Sequence, residues 1–219
     1  MKHRRVVITG MGALAPNGNN VEQYWNALLA GKSGIGPITS YDTEDHSVKI
    51  AGELSNFNPE DYLDPREVRR LDRFSILGLI AAQEAVNHSG LDLDSIDLER
   101  VGVTLGTGVG GIQTLEEQHS VYMDRGPKRV SPLFVPKMIA NIGAAHLSIK
   151  FGFKGPNQTI ITACSSATDA IGVALRLLHY GDADVMISGG AEASVTPLTV
   201  SGFANMKALS KSEDDPVTV

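Results

Sequence analysis

Residues 158–193, QTIITACSSATDAIGVALRLLHYGDADVMISGGAEA, constrain the fold more than any other stretch of this chain. Residues 159–162 form a short β-branched run that reads as a buried strand. The apolar residues of 167–178 are too many and too evenly spread for a half-solvated helix. They predict a helix buried nearly all round, interrupted only by Asp169, Arg176 and His179. Ser165 or Ser166 is placed to cap its first turn, and Gly181 to end it before a strand over 184–188. The expected unit is β-Cys-α-β, with the single cysteine, Cys164, at the strand-to-helix junction.

A thiol at that junction faces unpaired backbone N–H groups and the positive end of the helix dipole, which favour thiolate over thiol. The same N–H groups suit an oxyanion, so a nucleophile that makes and breaks a thioester would gain twice. A lone cysteine also serves as a small buried hydrophobe, and at this point both readings stand. The small polar neighbours suggest an accessible turn.

With 219 residues and ordinary apolar content the chain suits a single α/β unit. A formal charge of −6, with five tyrosines, six phenylalanines and one tryptophan, argues against a nucleic-acid binder. One cysteine excludes a disulfide framework, and no Cys/His spacing suits a metal. Lys2, Arg4 and Arg5 resemble the start of a signal peptide, but the apolar run behind them covers only residues 6–8. No stretch has membrane-spanning length, and the expectation is a soluble cytoplasmic protein.

In chain order, residues 5–9 read as a strand, 21–29 as a helix closing at Gly31, and 32–58 as mostly loop with a short strand near 48–52. Asp64 and Pro65 read as the cap and first residue of a helix on which Arg66, Arg69, Arg70 and Arg73 fall at i, i+3, i+4 and i+7. That spacing makes one basic face. It suits an acidic partner, or a solvated surface locally paired with Glu67 and Asp72. Residues 74–87 continue as a buried helix ending near Gly90, 101–105 as a strand, 112–123 as a helix, and 137–151 as a helix burying Met138, Ile139, Ile142, Ala145 and Ile149. After Glu192 the chain reads as loop.

Two glycine patterns, at 10–15 and 106–111, match the dinucleotide fingerprint and raise a nicotinamide oxidoreductase as a rival function. Proline and glycine at 16–18 interrupt the first. A loop at 124–129, where a second strand should follow, weakens the other. None of the six histidines has a spacing that makes it a base for Cys164.

The segments VVITGMG (6–12), GTGVGG (106–111), PKRVSPLFVP (127–136), TACSSA (162–167) and GDADVMISGGAEA (181–193) resemble, in register along the chain, the β-ketoacyl-acyl-carrier-protein synthases, the KAS II type most. The resemblance implies a thiolase-like α/β fold with αβαβα layers. Residues 1–219 would be its N-terminal domain, carrying the buried cysteine-bearing helix. It implies Cys164 as acyl acceptor, and Val109, Phe134 and Phe203 along the acyl pocket, with Phe134 at a subunit interface. Arg66, Arg69, Arg70, Lys128, Arg129 and Lys207 would contact an acidic acyl carrier protein. It implies a homodimer and no metal or redox cofactor, the phosphopantetheine arm arriving on the carrier. The family's catalytic histidines, supporting lysine and gating phenylalanine have no match here, and the polar run 210–219 reads as an interruption of a longer protein. A rival within the family is a non-catalytic subunit that shapes a partner's pocket. Such subunits replace the cysteine, so Cys164 argues against it.

Overall fold

The computed structural model describes residues 4–211. Residues 4–14 run without regular structure and join no sheet, so the strand expected over 5–9 is absent. β-branched residues favour a strand only beside a partner, and no described strand pairs with this segment. Its backbone is pressed onto a helix instead: a Cβ at Gly12 would stand 1.8 Å from Ala81 O. Asn20 then caps α1 (Val21–Leu29) by accepting the Gln23 N–H. The loop-rich region holds a small antiparallel hairpin, β1 (Ile35–Pro37) with β2 (Ile50–Gly52), of which only the second arm was anticipated.

Asp64 and Pro65 open α2 (Pro65–Val68) as expected, but α2 ends after one turn and α3 (Arg73–Ser89) starts afresh. The continuous basic face therefore does not form. Arg66 lies on α2, Arg69 and Arg70 on the turn, and Arg73 on α3, over the ring of Phe57 at 5.7 Å. The cause is Asp72, which is buried rather than paired with an arginine. Its carboxylate accepts from the Phe74 N–H at 3.2 Å, the Thr114 N–H at 2.9 Å and the Thr114 hydroxyl at 2.6 Å. Thr114 lies in the first turn of α4 (Ile112–Arg125), so one carboxylate serves the N-termini of two helices. Glu67 turns away as well, to Lys150 at 2.8 Å.

The helix expected over 137–151 is two helices, α5 (Phe134–Met138) and α6 (Ile142–Phe151). Ile139 is extended between them, and the Met138 carbonyl accepts the Gly111 N–H at 3.1 Å instead of continuing a helical ladder. The inward residues of α6 are Gly143, Ala144 and Leu147, while Ile149 is exposed.

The core is a three-stranded parallel sheet of β3 (Val101–Gly106), β4 (Asn157–Ile160) and β5 (Val185–Gly190), in the order β4-β3-β5. All of β3 is buried, and its side chains alternate between two helical layers. The Thr104 hydroxyl donates to Ala170 O at 3.1 Å on α7 (Ser166–Tyr180), whereas Leu105 packs against Gly78 of α3 and Gly143 of α6. β4 lies two residues earlier than expected, leaving Ile161 exposed beyond its end. α7 is not buried all round: only Ser166, Ala170 and Ala174 are covered, while Ile171 and Leu175 are 55% and 41% exposed, because the described chain supplies one layer to cover it and not two. Gly181, at φ 81°, ends α7 as expected. After β5, Thr196 and Pro197 open α8 (Pro197–Asn205) where loop was expected; a hydroxyl cap followed by proline was the available signal. α8 contributes Val200 to a second small core with Ile38 and Val48.

Arg100, not singled out from the sequence, ties α7's end to the sheet. It donates to Gly181 O at 2.6 Å and grips Asp184 at 3.0 Å, and Arg4 also reaches Asp184, at 2.9 Å. The Arg100 and Arg4 hydrogen bonds hold the Asp184 carboxyl at about 2, below its ordinary 3.8. A depressed carboxylate stabilises the fold above its unfolded value, and that contribution is lost as pH falls through the folded one. Acid titration of unfolding should therefore show a steeper loss of stability below the ordinary 3.8 in the parent protein than in Asp184→Asn. Asp72→Ala removes a cap and strands buried donors, and should lower stability in urea by about 2–4 kcal/mol, with Asp72→Asn intermediate.

Candidate active site

The carboxyl ends of β3, β4 and β5 point the same way, which in open parallel sheets makes their edge the usual place for a site. The Thr107 N–H donates to Ile160 O at 3.1 Å and the Ala191 N–H to Gly106 O at 3.0 Å, so the three strand ends stay laced together past the sheet. α7 begins against this edge. A Cβ at Gly106 would fall 2.3 Å from the Ser166 backbone, and one at Gly190 2.6 Å from Ala167 Cβ. Both close approaches require glycine.

Cys164 sits in the single 3-10 turn Ala163–Ser165 between β4 and α7, and it is exposed. Within the described residues it is not packed as a buried hydrophobe. Ala163 takes a left-handed φ of 54°, an unfavourable conformation for a residue with a Cβ that persists because its neighbours hold it. Neither serine caps α7 in the expected way. The buried Ser166 hydroxyl accepts the Thr162 N–H at 2.9 Å and lies 2.7 Å from Ala163 O and 3.2 Å from Thr107 O. The Asp169 carboxylate, one turn into α7, accepts from the Thr162 hydroxyl at 2.5 Å and the Ser165 hydroxyl at 3.1 Å. The turn carrying Cys164 is thus held on the sheet side by Ser166 and on the helix side by Asp169.

The glycine loop 106–111 is organised by Glu192, which the sequence marks only as part of the segment 181–193. One carboxylate oxygen accepts the Gly108 N–H at 2.6 Å, the Val109 N–H at 3.1 Å and the Thr107 hydroxyl at 3.3 Å. The other accepts the Ser194 hydroxyl at 2.8 Å. A Cβ at Gly108 would stand 2.9 Å from that first oxygen. The N–H groups with which such a loop would cradle a pyrophosphate are already occupied by the protein's own anion, which disfavours the nicotinamide reading.

Of the residues implied along the acyl pocket, Val109 is half exposed on this loop. Phe203 lies on α8 and borders an apolar cleft of about 540 Å³ with Ile35, Val48, Ile50, Val200 and Glu192. Glu192 is therefore the link between the Val109 loop and the Phe203 cleft. Phe134 opens α5 and does not border that cleft. The implied carrier contacts are all exposed, but on separate elements: Arg66, Arg69 and Arg70 around α2, Lys128 and Arg129 in the turn after α4, and Lys207 beyond α8. No ion pair among the described residues engages any of them.

His146 lies on α6, across the sheet from α7; burial pushes its pKa down, against the opposing charge of Glu67. His88 contacts Met11, and the His46 ring lies tilted against Tyr41. Among the described residues no group of three His, Cys, Asp or Glu side chains could hold a metal, and no helix is long and apolar enough to cross a membrane.

Comparison with known proteins agrees with this geometry. The family model for the β-ketoacyl synthase N-terminal domain matches residues 3–218. The 3-oxoacyl-[acyl-carrier-protein] synthase 2 of Staphylococcus aureus (strain COL) is 48% identical over 213 residues, which are 97% of this chain and 51% of the relative. The chain thus spans about half the length of the curated relatives it matches. Among solved structures, a β-ketoacyl synthase from Burkholderia phymatum STM815 superposes with a TM-score of 0.85 at 26% identity, covering 100% of this chain and 53% of that one. A type II polyketide ketosynthase, AntDE, solved with its acyl-carrier protein AntF, gives 0.80 at 28% identity over 92% of this chain and 54% of the other. The architecture is that of the thiolase-like ketosynthases. With Cys164 standing at the strand ends of that fold and the match running from residue 3 to residue 218, the chain belongs to the β-ketoacyl synthase family and corresponds to its N-terminal domain.

Proposed function

We propose that this chain carries the acyl-accepting half of a condensing enzyme of fatty-acid elongation, of the synthase 2 type. The observation that carries the reading is Cys164, exposed in a restrained turn at the head of α7, within a chain 48% identical to a 3-oxoacyl-[acyl-carrier-protein] synthase 2. The thiolate of Cys164 attacks the thioester carbonyl of an acyl chain borne on phosphopantetheine. The resulting oxyanion lies at the positive end of the α7 dipole, then collapses to expel the carrier thiolate, which takes up a proton. Malonyl carrier protein then loses carbon dioxide, and its carbanion attacks the acyl-cysteine carbonyl, forming the new carbon–carbon bond and releasing the Cys164 thiolate. No metal or redox cofactor takes part in these steps.

Decarboxylation needs donors that stabilise the developing enolate. We assign these to a second half of the complete protein, which also covers the open side of α7 at Ile171 and Leu175. Val109 and Phe203 border the acyl chain in this reading. Phe134, flanked by exposed Leu133 and Val135, lies at the contact of a cytoplasmic homodimer. The exposed arginines around α2, with Lys128, Arg129 and Lys207, receive the acidic carrier; the carrier complex of the AntDE ketosynthase supports a partner of that class.

Intact-mass measurement after incubation with acyl carrier protein tests the central step. The parent protein should gain the acyl mass and Cys164→Ala should not, while its stability stays within about 0.5 kcal/mol because the residue is exposed. Acylation of the Ala variant would refute the assignment. Charge reversal at Arg69 and Arg70 should slow acylation from the carrier at low salt and flatten its salt dependence, leaving acylation from a small thioester unchanged. An equal loss with both donors would instead indicate damaged folding.

A further inference from the structure

The loop 106–111 holds glycine at four of its six positions, and it carries the half-exposed Val109, which borders the acyl chain in the function proposed above. Chain of that composition has little stiffness of its own. Its apex is fixed by a single side chain, Glu192, whose one oxygen takes the Gly108 N–H, the Val109 N–H and the Thr107 hydroxyl. The other oxygen is tied to Ser194, which lines the cleft that Phe203 borders. Gly108 leaves the space that the carboxylate occupies. Thr107 also extends the restraint inward, because its hydroxyl accepts the Gly110 N–H at 3.2 Å and its carbonyl lies 3.2 Å from the buried Ser166 hydroxyl beneath Cys164.

We propose that Glu192 is a positioning residue that fixes Val109 relative to Cys164 and the Phe203 cleft, and so sets which acyl-chain lengths the cysteine accepts. The inference rests on the reading of Cys164 as acyl acceptor. Glu192 does not touch the reacting atoms; it acts by denying the loop alternative conformations in which the Val109 side chain would leave or block the path of the chain. Glutamine preserves this action. Its amide oxygen accepts the same N–H groups, and its amide nitrogen donates to the Ser194 hydroxyl.

The test measures acylation of Cys164 by a short and a long straight-chain acyl thioester, with iodoacetamide alkylation as a thiol control needing no acyl pocket. In Glu192→Ala the ratio of the long-chain to the short-chain rate should change by at least about threefold. Alkylation should stay within about twofold of the parent, since the thiol itself is untouched. Glu192→Gln should restore the parent ratio. Val109→Ala should also change the ratio, and combining it with Glu192→Ala should add less than the sum of the two, as expected for groups acting through one loop. If Glu192→Ala does not fold, Glu192→Asp, one methylene shorter, should still shift the ratio. An unchanged ratio in the folded variants, a glutamine that behaves like alanine, or additive effects of the two alanines would each overturn the proposal. A parent protein that is alkylated but takes no acyl group from either thioester would instead refute the acyl-acceptor reading, and this inference with it.

Discussion

The site depends on how closely α7 approaches the sheet. Gly106 and Gly190 end neighbouring parallel strands, and each leaves room for the backbone or Cβ of the first residues of α7 where any side chain would collide. Only at that separation can the Ser166 hydroxyl reach both the Thr107 carbonyl and the Thr162 N–H. Those two bonds close the turn from β4 into α7. The left-handed Ala163 is tolerable inside such a closed turn and would relax outside it. The exposure of Cys164 follows from contacts made entirely by its neighbours.

The excess of acidic residues has a use beyond solubility. Repeatedly, a carboxylate accepts the N–H groups that a helix start or a tight loop leaves unpaired. Asp72 joins the starts of α3 and α4. Glu84 accepts the Val21 N–H at the start of α1 and the Ala13 N–H of the N-terminal segment, at 2.8 and 2.9 Å. Glu116 takes the Thr196 hydroxyl and the Leu198 N–H at the start of α8, and Glu192 takes the loop N–H groups beside Cys164. The connections between elements are therefore largely polar and sequence-distant, while the layers are held by ordinary apolar packing around Leu79, Val103 and Leu147.

That division explains what the sequence disclosed. Elements set by local chemistry were readable: α1, the Asp64-Pro65 start of α2, α3 with its Gly90 end, β3, and the Gly181 stop of α7. Elements decided by distant partners were not. Residues 5–9 have strand composition but no described strand to join. The arginines from 66 to 73 have perfect helical spacing, yet the buried attachment of Asp72 to Thr114, 42 residues away, restarts the helix between them. The break between α5 and α6 likewise depends on Gly111. At the site, Cys164 was legible because a strand, a turn and a helix meet there in sequence. Glu192 was not, since the loop N–H groups it holds lie more than eighty residues earlier. The two dinucleotide-like patterns mislead for the same reason. Glycine spacing announces that something approaches a backbone, without saying whether it is a phosphate, a helix or a carboxylate.

α7 shows how an error in detail can still hold correct information. Its composition was read as burial on every side, and the described chain buries only Ser166, Ala170 and Ala174. These are the small residues. Of the large ones, Ile171 and Leu175 are exposed, while Val173, Leu177 and Leu178 are half-buried. A helix evolved to meet water on its outer side carries polar residues there and keeps its large apolar groups for the core. Small residues fully buried, with Ile171 and Leu175 left exposed, fit a helix that lies close to one layer through its backbone and offers large side chains to another. The close sheet contact sets the position of Cys164, and the outward Ile171 and Leu175 mark the side on which a further layer of an αβαβα stack would pack.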